Sequence, residues 1–292
     1  MSATVALTER PGIRRGPSRR VRAWAIPVVT LAILALLMAM ALLADFAAPY
    51  SPTETALSSR LRPPFSDGHL LGTDGLGRDI LSRVIHGSRV SLIVAAISIL
   101  VGGSLGTGLG VVSAYYGGRI DAIIMRVADV LLGFPLIILA ILLAGIYGPS
   151  LNNVLVILAL AQWPRFTRMA RGEALALKER DYILAARIVG MPAWQIIWLH
   201  LLPHLFSSLL ILASLSAASA VIIEAALSFF GAGVPPPAPT WGGMINDGRD
   251  FVTTAWWVSF FPGLALVLMV LSLNLLGDWL RDEFDPRLTQ AG

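Results

Sequence analysis

Cysteine is absent from the 292 residues, which excludes disulfides, thiolate chemistry and cysteine-held metals. Charge is scarce as well. Asp, Glu, Lys and Arg make up 14% of the chain against 56% hydrophobic residues, where a soluble domain gives about a quarter of its residues to charge. No Walker-type lysine motif occurs, and "GTGLG" at residues 106–110 lacks the flanking strand and acidic partner of a dinucleotide loop. Neither a Ser/His/Asp order nor a paired carboxylate is present, so no catalysis is expected. The apolar residues run continuously instead of alternating, which argues against a closed β-barrel.

What is present are long apolar runs. A helix needs about 20 residues to cross a hydrocarbon core of about 30 Å, and six stretches qualify: approximately 23–46, 89–115, 123–147, 150–170, 205–230 and 254–280. The first follows "RRGPSRRVR". It is longer than a signal-peptide core, so it is expected to be retained as a span. With the N-terminus inside, sixteen of the 22 Lys and Arg residues fall on the cytoplasmic side, among them Arg10, Arg14, Arg15, Arg119, Arg126, Arg165, Arg168, Arg171 and Arg287. Six lie outside: Arg60, Arg62, Arg78, Arg83, Arg89 and Arg249. That imbalance predicts both termini in the cytoplasm. The +4 net charge says less than where Lys and Arg lie, and no nucleic-acid partner is expected.

Between the fourth and fifth spans lies "ERDYILAARIVGMPAWQIIWLHLLPH", residues 179–204. The pattern predicts one helix over about 173–189, closed by Gly190 in the left-handed conformation. A second follows Pro192, with Trp194, Ile197, Trp198 and Leu201 on one face. Lys178, Glu179, Arg180, Asp181, Tyr182 and Arg187 accompany the small residues Ala185 and Ala186, which allow close approach. Composition alone suits a plug for a partner's groove and a solvated connector equally.

The pattern Leu184-Ala185-Ala186, three residues, Gly190, nine residues, His200-Leu201-Leu202-Pro203 resembles the "EAA-x3-G-x9-I-x-LP" loop of permease subunits of bacterial ATP-binding-cassette importers. Leu184 replaces the acidic residue and His200 the aliphatic one. Five further blocks resemble the dipeptide, oligopeptide and nickel branch: His69 to Leu92, Tyr115 to Pro135, "ERDYILAARIVG", Glu224 to Ile245 and Asn274 to Leu288. The short tail and extra leading span fit one member of the permease pair. The resemblance implies an all-α, six-span bundle of the type I importer permease fold in the bacterial inner membrane. It implies ATPase coupling through Lys178, Glu179, Arg180, Asp181, Tyr182, Ala185, Ala186, Arg187 and Gly190, and transport of di- or oligopeptides. Nickel chelates or another small solute are the alternative, with an ion-coupled secondary transporter behind them. Implied partners are a homologous permease subunit, two ATPase subunits and an extracytoplasmic substrate-binding protein, all in a setting of membrane lipid. ATP and Mg would be bound by the ATPases and no cofactor by this chain.

The expected organisation is a basic tail (1–22), a leading span (23–46), an extracytoplasmic loop (47–88), a five-span core (89–280) with the coupling loop 171–204, and a C-terminal tail (281–292). Gly102, Gly106 and Gly110 form a small-residue stripe for helix packing. Glu224, Ser228 and Trp241 are assigned either to the solute path or to packing, and Asp129 to the cytoplasmic boundary. His69, Asp67, Asp74 and Asp79 match no metal-loop spacing and are expected to be solvated or capping. His86, His200 and His204 are expected at interfaces or in loops, and Arg78, Asp247 and Arg249 at an external rim.

Overall fold

The computed structural model describes residues 17–284, with side chains from residue 27 onward. Arg10, Arg14, Arg15, Arg287, most of the tails 1–22 and 281–292, and the end of the Asn274–Leu288 block lie outside the described residues. The elements are α1 (Pro17–Leu42), α2 (Ala44–Ala47), α3 (Ile80–Tyr116), α4 (Gly118–Gly133), α5 (Leu136–Tyr147), α6 (Leu151–Lys178), α7 (Asp181–Ile188), α8 (Ala193–Gln195), α9 (Leu202–Phe229), α10 (Trp241–Gly248) and α11 (Trp257–Phe284). Among the described residues only two isolated bridges, Ser66 to His69 and Thr73 to Asp79, have β character.

Several boundaries differ from expectation for local reasons. The segment expected as loop up to residue 88 turns helical at Ile80, because Asp79 caps α3 through Ser82 N–H at 2.8 Å. The third run, 123–147, is not one straight helix but falls in α4 and α5, bent by 84°. Pro135 has no N–H to give and holds Phe134 extended (φ −86°, ψ 133°), which ends α4 there. Past residue 170, α6 continues to Lys178. The helix expected after Pro192 is not separate: α8, a π-helical segment Ile196–Leu201 and α9 form one continuous helix over 193–229.

By length and apolar composition, α3, the 193–229 helix and α11 each suffice to cross a membrane, and the bent α4–α5 pair supplies a fourth crossing if counted as one. The described apolar part of α1 is the shorter Pro27–Leu42. α6 has the length, but Gln162, Arg165, Arg168 and Arg171 leave it outside that apolar set.

The axis of the bundle is the α3–α6 pair. Gly102, Gly106 and Gly110 lie against α6 so closely that a Cβ would run into the backbone of Ala159, Trp163 and Thr167. Thr167 Oγ1 crosses the seam to Gly106 O at 3.0 Å. One core packs α1, α3, α10 and α11 around Trp241 and Met269, and a second joins α3, α5, α6 and α9 through Val94, Ala140, Ile157 and Leu227. The third lies at the opposite end and holds α7.

At the end remote from α7, residues 48–79 are tied down by charge. Asp74 accepts from Arg78 Nε at 2.7 Å and lies 3.6 Å from Arg83 Nε, while Asp247 on α10 takes Arg78 Nη2 at 3.2 Å. Trp257 Nε1 adds a bond to Thr73 O at 3.2 Å. Arg78 is therefore a buried tie, not a rim residue.

Candidate functional site

α7 is a short helix held across the end of the bundle. Ile183 and Ala186, three residues apart, bury one side against Val111, Ala114, Ala170, Ala174, Ile196 and Leu205. The opposite side is open: Asp181, Tyr182, Leu184, Ala185, Ile188 and Val189 are exposed, with Ile188 at 89% and Val189 at 83%. Ile188 and Val189 thus form an adjacent, exposed apolar pair at the end of α7.

Gly190 closes α7. Its φ is +81°, its N–H reaches Arg187 O at 3.0 Å, and Met191 N–H reaches Ala186 O at 3.0 Å. These are the two bonds of a Schellman cap, which asks for glycine at the left-handed position. A second break, at Glu179 and Arg180, separates α7 from α6. The helix expected over 173–189 is thus two: residues 173–178 extend α6, and only Asp181–Ile188 lies across the end.

The expected docking residues divide. Glu179, Arg180, Asp181, Tyr182, Ala185 and Gly190 are exposed. Lys178, Ala186 and Arg187 turn inward. Lys178 Nζ donates to the carbonyls of Ala114 and Tyr115 at 3.1 and 2.9 Å, covering the C-terminal end of α3 where cations are favoured. Arg187 lies over the Tyr115 ring, 5.1 Å from its centroid. Asp121 on α4 joins the same corner, accepting from Arg171 Nη2 at 2.6 Å. Tyr182 stands against His200 and His204, with centroids 6.2 and 5.9 Å apart. Those histidines therefore sit on helix, not loop. Ile188 and Val189 were not singled out from sequence. The signal was there, since burying residues 183 and 186 turns 188 away at helical period.

The other candidates are placed as follows. Glu224 is fully buried, with Oε1 accepting from Ser228 Oγ at 2.7 Å and Oε2 unpartnered. Trp241 is fully buried too, its Nε1 bonded to Val84 O at 3.0 Å over Gly87. Asp129 pairs with Arg168, and Arg249 with Asp250 at 3.4 Å. His69 bonds Asp79 at 2.9 Å and Asp67 bonds Arg62 at 3.0 Å. His86 bonds Asp45 at 3.3 Å from within α3. Among the described residues no three such ligands gather around a common metal position. Trp194, Trp198 and Phe206 are exposed along one stretch of the 193–229 helix, which suits a bilayer boundary.

Residues 106–290 match the family model described as "Binding-protein-dependent transport system inner membrane component". The chain is similar to the glutathione transport system permease protein of Pectobacterium atrosepticum, at 44% identity over 87% of this chain and 84% of that one. It is similar also to the dipeptide transport system permease protein of Escherichia coli, at 41% over 90% and 89%. The di/tripeptide transport system permease protein of Pseudomonas aeruginosa matches at 39% over 89% and 88%. In fold it is similar to a chain of an inward-facing methionine ABC transporter structure, with a TM-score of 0.57 and 21% identity over 70% of this chain and 98% of that one.

Proposed function

Because this chain belongs to the family of binding-protein-dependent transport system inner membrane components, we propose that it is a permease subunit of an ATP-driven importer, forms half of the path for di- or oligopeptides, and is moved by separate ATPase chains. It is a multi-pass inner-membrane transport subunit, not an enzyme. Relatives named for peptide, dipeptide and glutathione transport support the solute class.

The observation that carries the reading is α7. A short helix with one buried side, a closed glycine cap and an exposed Ile188–Val189 tip has the build of a joint that seats in another protein. Its inner side is tied to the end of α3 by Arg187, and Lys178 at the end of α6 caps the same end, so a displacement of α7 is passed to α3. ATP binding would draw two ATPase subunits together, and the seated helices would bias the bundle between inward-open and outward-open arrangements. ATP and Mg are held by those partner chains. A homologous permease supplies the other half of the path. The α7 end and both termini lie in the cytoplasm, and a substrate-binding protein docks at the opposite end, on residues 48–79 and the α10 segment with Asp247 and Arg249. Uptake measured in vesicles tests the reading: ATP-dependent accumulation of peptide with co-purifying ATPase chains supports it, and accumulation driven by a proton gradient alone contradicts it.

A further inference from the structure

α6 is the long helix whose composition resists the bilayer, and the reason is one face of its second half. Trp163, Phe166 and Ala170 meet the glycine stripe of α3, and at 100° per residue Arg165, Arg168, Gly172 and Ala176 fall on the other side. All four are exposed. Arg165 Nη1 donates to Ser219 Oγ on α9 at 3.3 Å, and Arg168 pairs with Asp129 on α4. The α4–α5 bend carries α5 over the Val154–Leu158 part of α6, so the side around Arg165 stays open between α4, α6 and α9.

Depth makes this face informative. Taking Leu151 and Phe229 as the outer edge, at 1.5 Å per residue Arg165 lies about 21 Å along its helix and Ser219 about 15 Å along its own, so the pair falls within a core of about 30 Å, deeper than the cytoplasmic side to which the charge count assigns Arg165. A guanidinium facing lipid there costs roughly 3 kcal/mol or more, so this face meets water or protein. Arg168 has a carboxylate to balance it. Arg165 has only a neutral hydroxyl, and no ion pair among the described residues includes it. Of the two α6 arginines, Arg165 is left with an uncompensated positive charge, on a side chain whose forked donors match a carboxylate.

We propose that this α4–α6–α9 face lines the water-filled route of the solute, and that Arg165, steadied by Ser219, receives a carboxylate of the peptide in transit. The inference rests on the peptide-importer reading. It makes Arg165 a determinant of what passes, separate from α7, which determines when.

The test uses the whole importer, reconstituted with its permease partner, ATPase chains and cognate binding protein. The chain has no cysteine, so Arg165→Cys places a single thiol in it, and a small charged thiol reagent reports whether water reaches that thiol. Leu100→Cys, in an apolar groove formed by α1, α3, α9 and α11, is the dry control. Reaction at residue 165 about tenfold faster than at residue 100 is expected, because the thiolate forms only where water reaches. In parallel, uptake of a tripeptide with a free carboxyl terminus is compared with uptake of its amide. Arg165→Gln should lower the acid-to-amide ratio about tenfold relative to wild type, the loss of one charge-assisted hydrogen bond. Arg165→Lys should restore most of it. The binding protein's own preference is common to all variants and cancels. An unreactive thiol at residue 165, or an unchanged ratio in Arg165→Gln, overturns the proposal while the importer reading stands. A wild-type importer that carries no peptide at all removes that reading and the carboxylate assignment with it.

Discussion

The guanidinium of Arg187 lies 5.1 Å from the ring centroid of Tyr115, and this contact joins the last turn of α7 to the last turn of α3. Both Nε and Nη2 of Arg187 are buried without a hydrogen-bond partner, so the aromatic face is the main compensation for its charge. Replacing Tyr115 with Leu removes an interaction worth about 1–2 kcal/mol in a desolvated setting and leaves that charge uncovered. The expected outcome is slower uptake per ATP hydrolysed, with normal insertion. Parallel assays of uptake and hydrolysis on reconstituted protein check it.

Gly190 closes the same helix from outside. At φ +81° a β-branched residue is strained by roughly 1–2 kcal/mol, and the two capping bonds of Arg187 and Ala186 carbonyls are lost with the turn. Gly190→Val should abolish transport and the stimulation of ATP hydrolysis while leaving membrane insertion intact. Wild-type transport by this variant would argue against a role for α7 in coupling.

The α3–α6 seam gives a prediction of a different kind, on assembly. A leucine at Gly106 meets the backbone of Trp163 and the Phe166 side chain and forces the two helices apart, whereas a Cβ at Gly108 meets nothing within 4 Å. Gly106→Leu should therefore fail to accumulate as folded protein, and Gly108→Ala should behave as wild type in detergent melting.

Asp74 stands between two buried arginines, Arg78 and Arg83. Removing one partner of a buried charge network costs about 3–5 kcal/mol, and Asp74→Ala removes the acceptor that also holds Leu76 N–H and Arg78 N–H. Residues 48–79 should loosen, seen as new protease cleavage in that segment from outside the cell, with the α7 end unchanged.

Much of the bundle was legible because hydrophobic runs report the bilayer directly. The glycine stripe and the left-handed Gly190 are each read from residue type and spacing. The α4–α5 bend is hidden inside a run that is apolar throughout except for Arg126 and Asp129; the Phe134-Pro135 step is its mark. The boundary between α6 and α7 is hidden because Glu173 to Lys178 before it and Leu184 to Arg187 after it are good helix formers, and hydropathy has no term for a break at Glu179. Lys178 and Arg187 looked like docking charges. Which charge turns inward depends on the end of α3, more than 60 residues away in sequence, and local pattern cannot carry that. For Trp241, sequence leaves the solute path and packing both open, and the choice between them depends on α3 folding beneath it.

The central claim is that the exposed tip of α7 seats in an ATPase chain on the cytoplasmic side. With no cysteine in the chain, Ile188→Cys gives a unique thiol at a position 89% exposed. In the assembled importer a short bifunctional reagent should join residue 188 to an ATPase chain, and stripping the ATPases should open that thiol to a membrane-impermeant label applied from the cytoplasmic face only. A thiol at residue 188 that is labelled from outside intact cells, or that never joins to an ATPase in the active complex, would contradict the account.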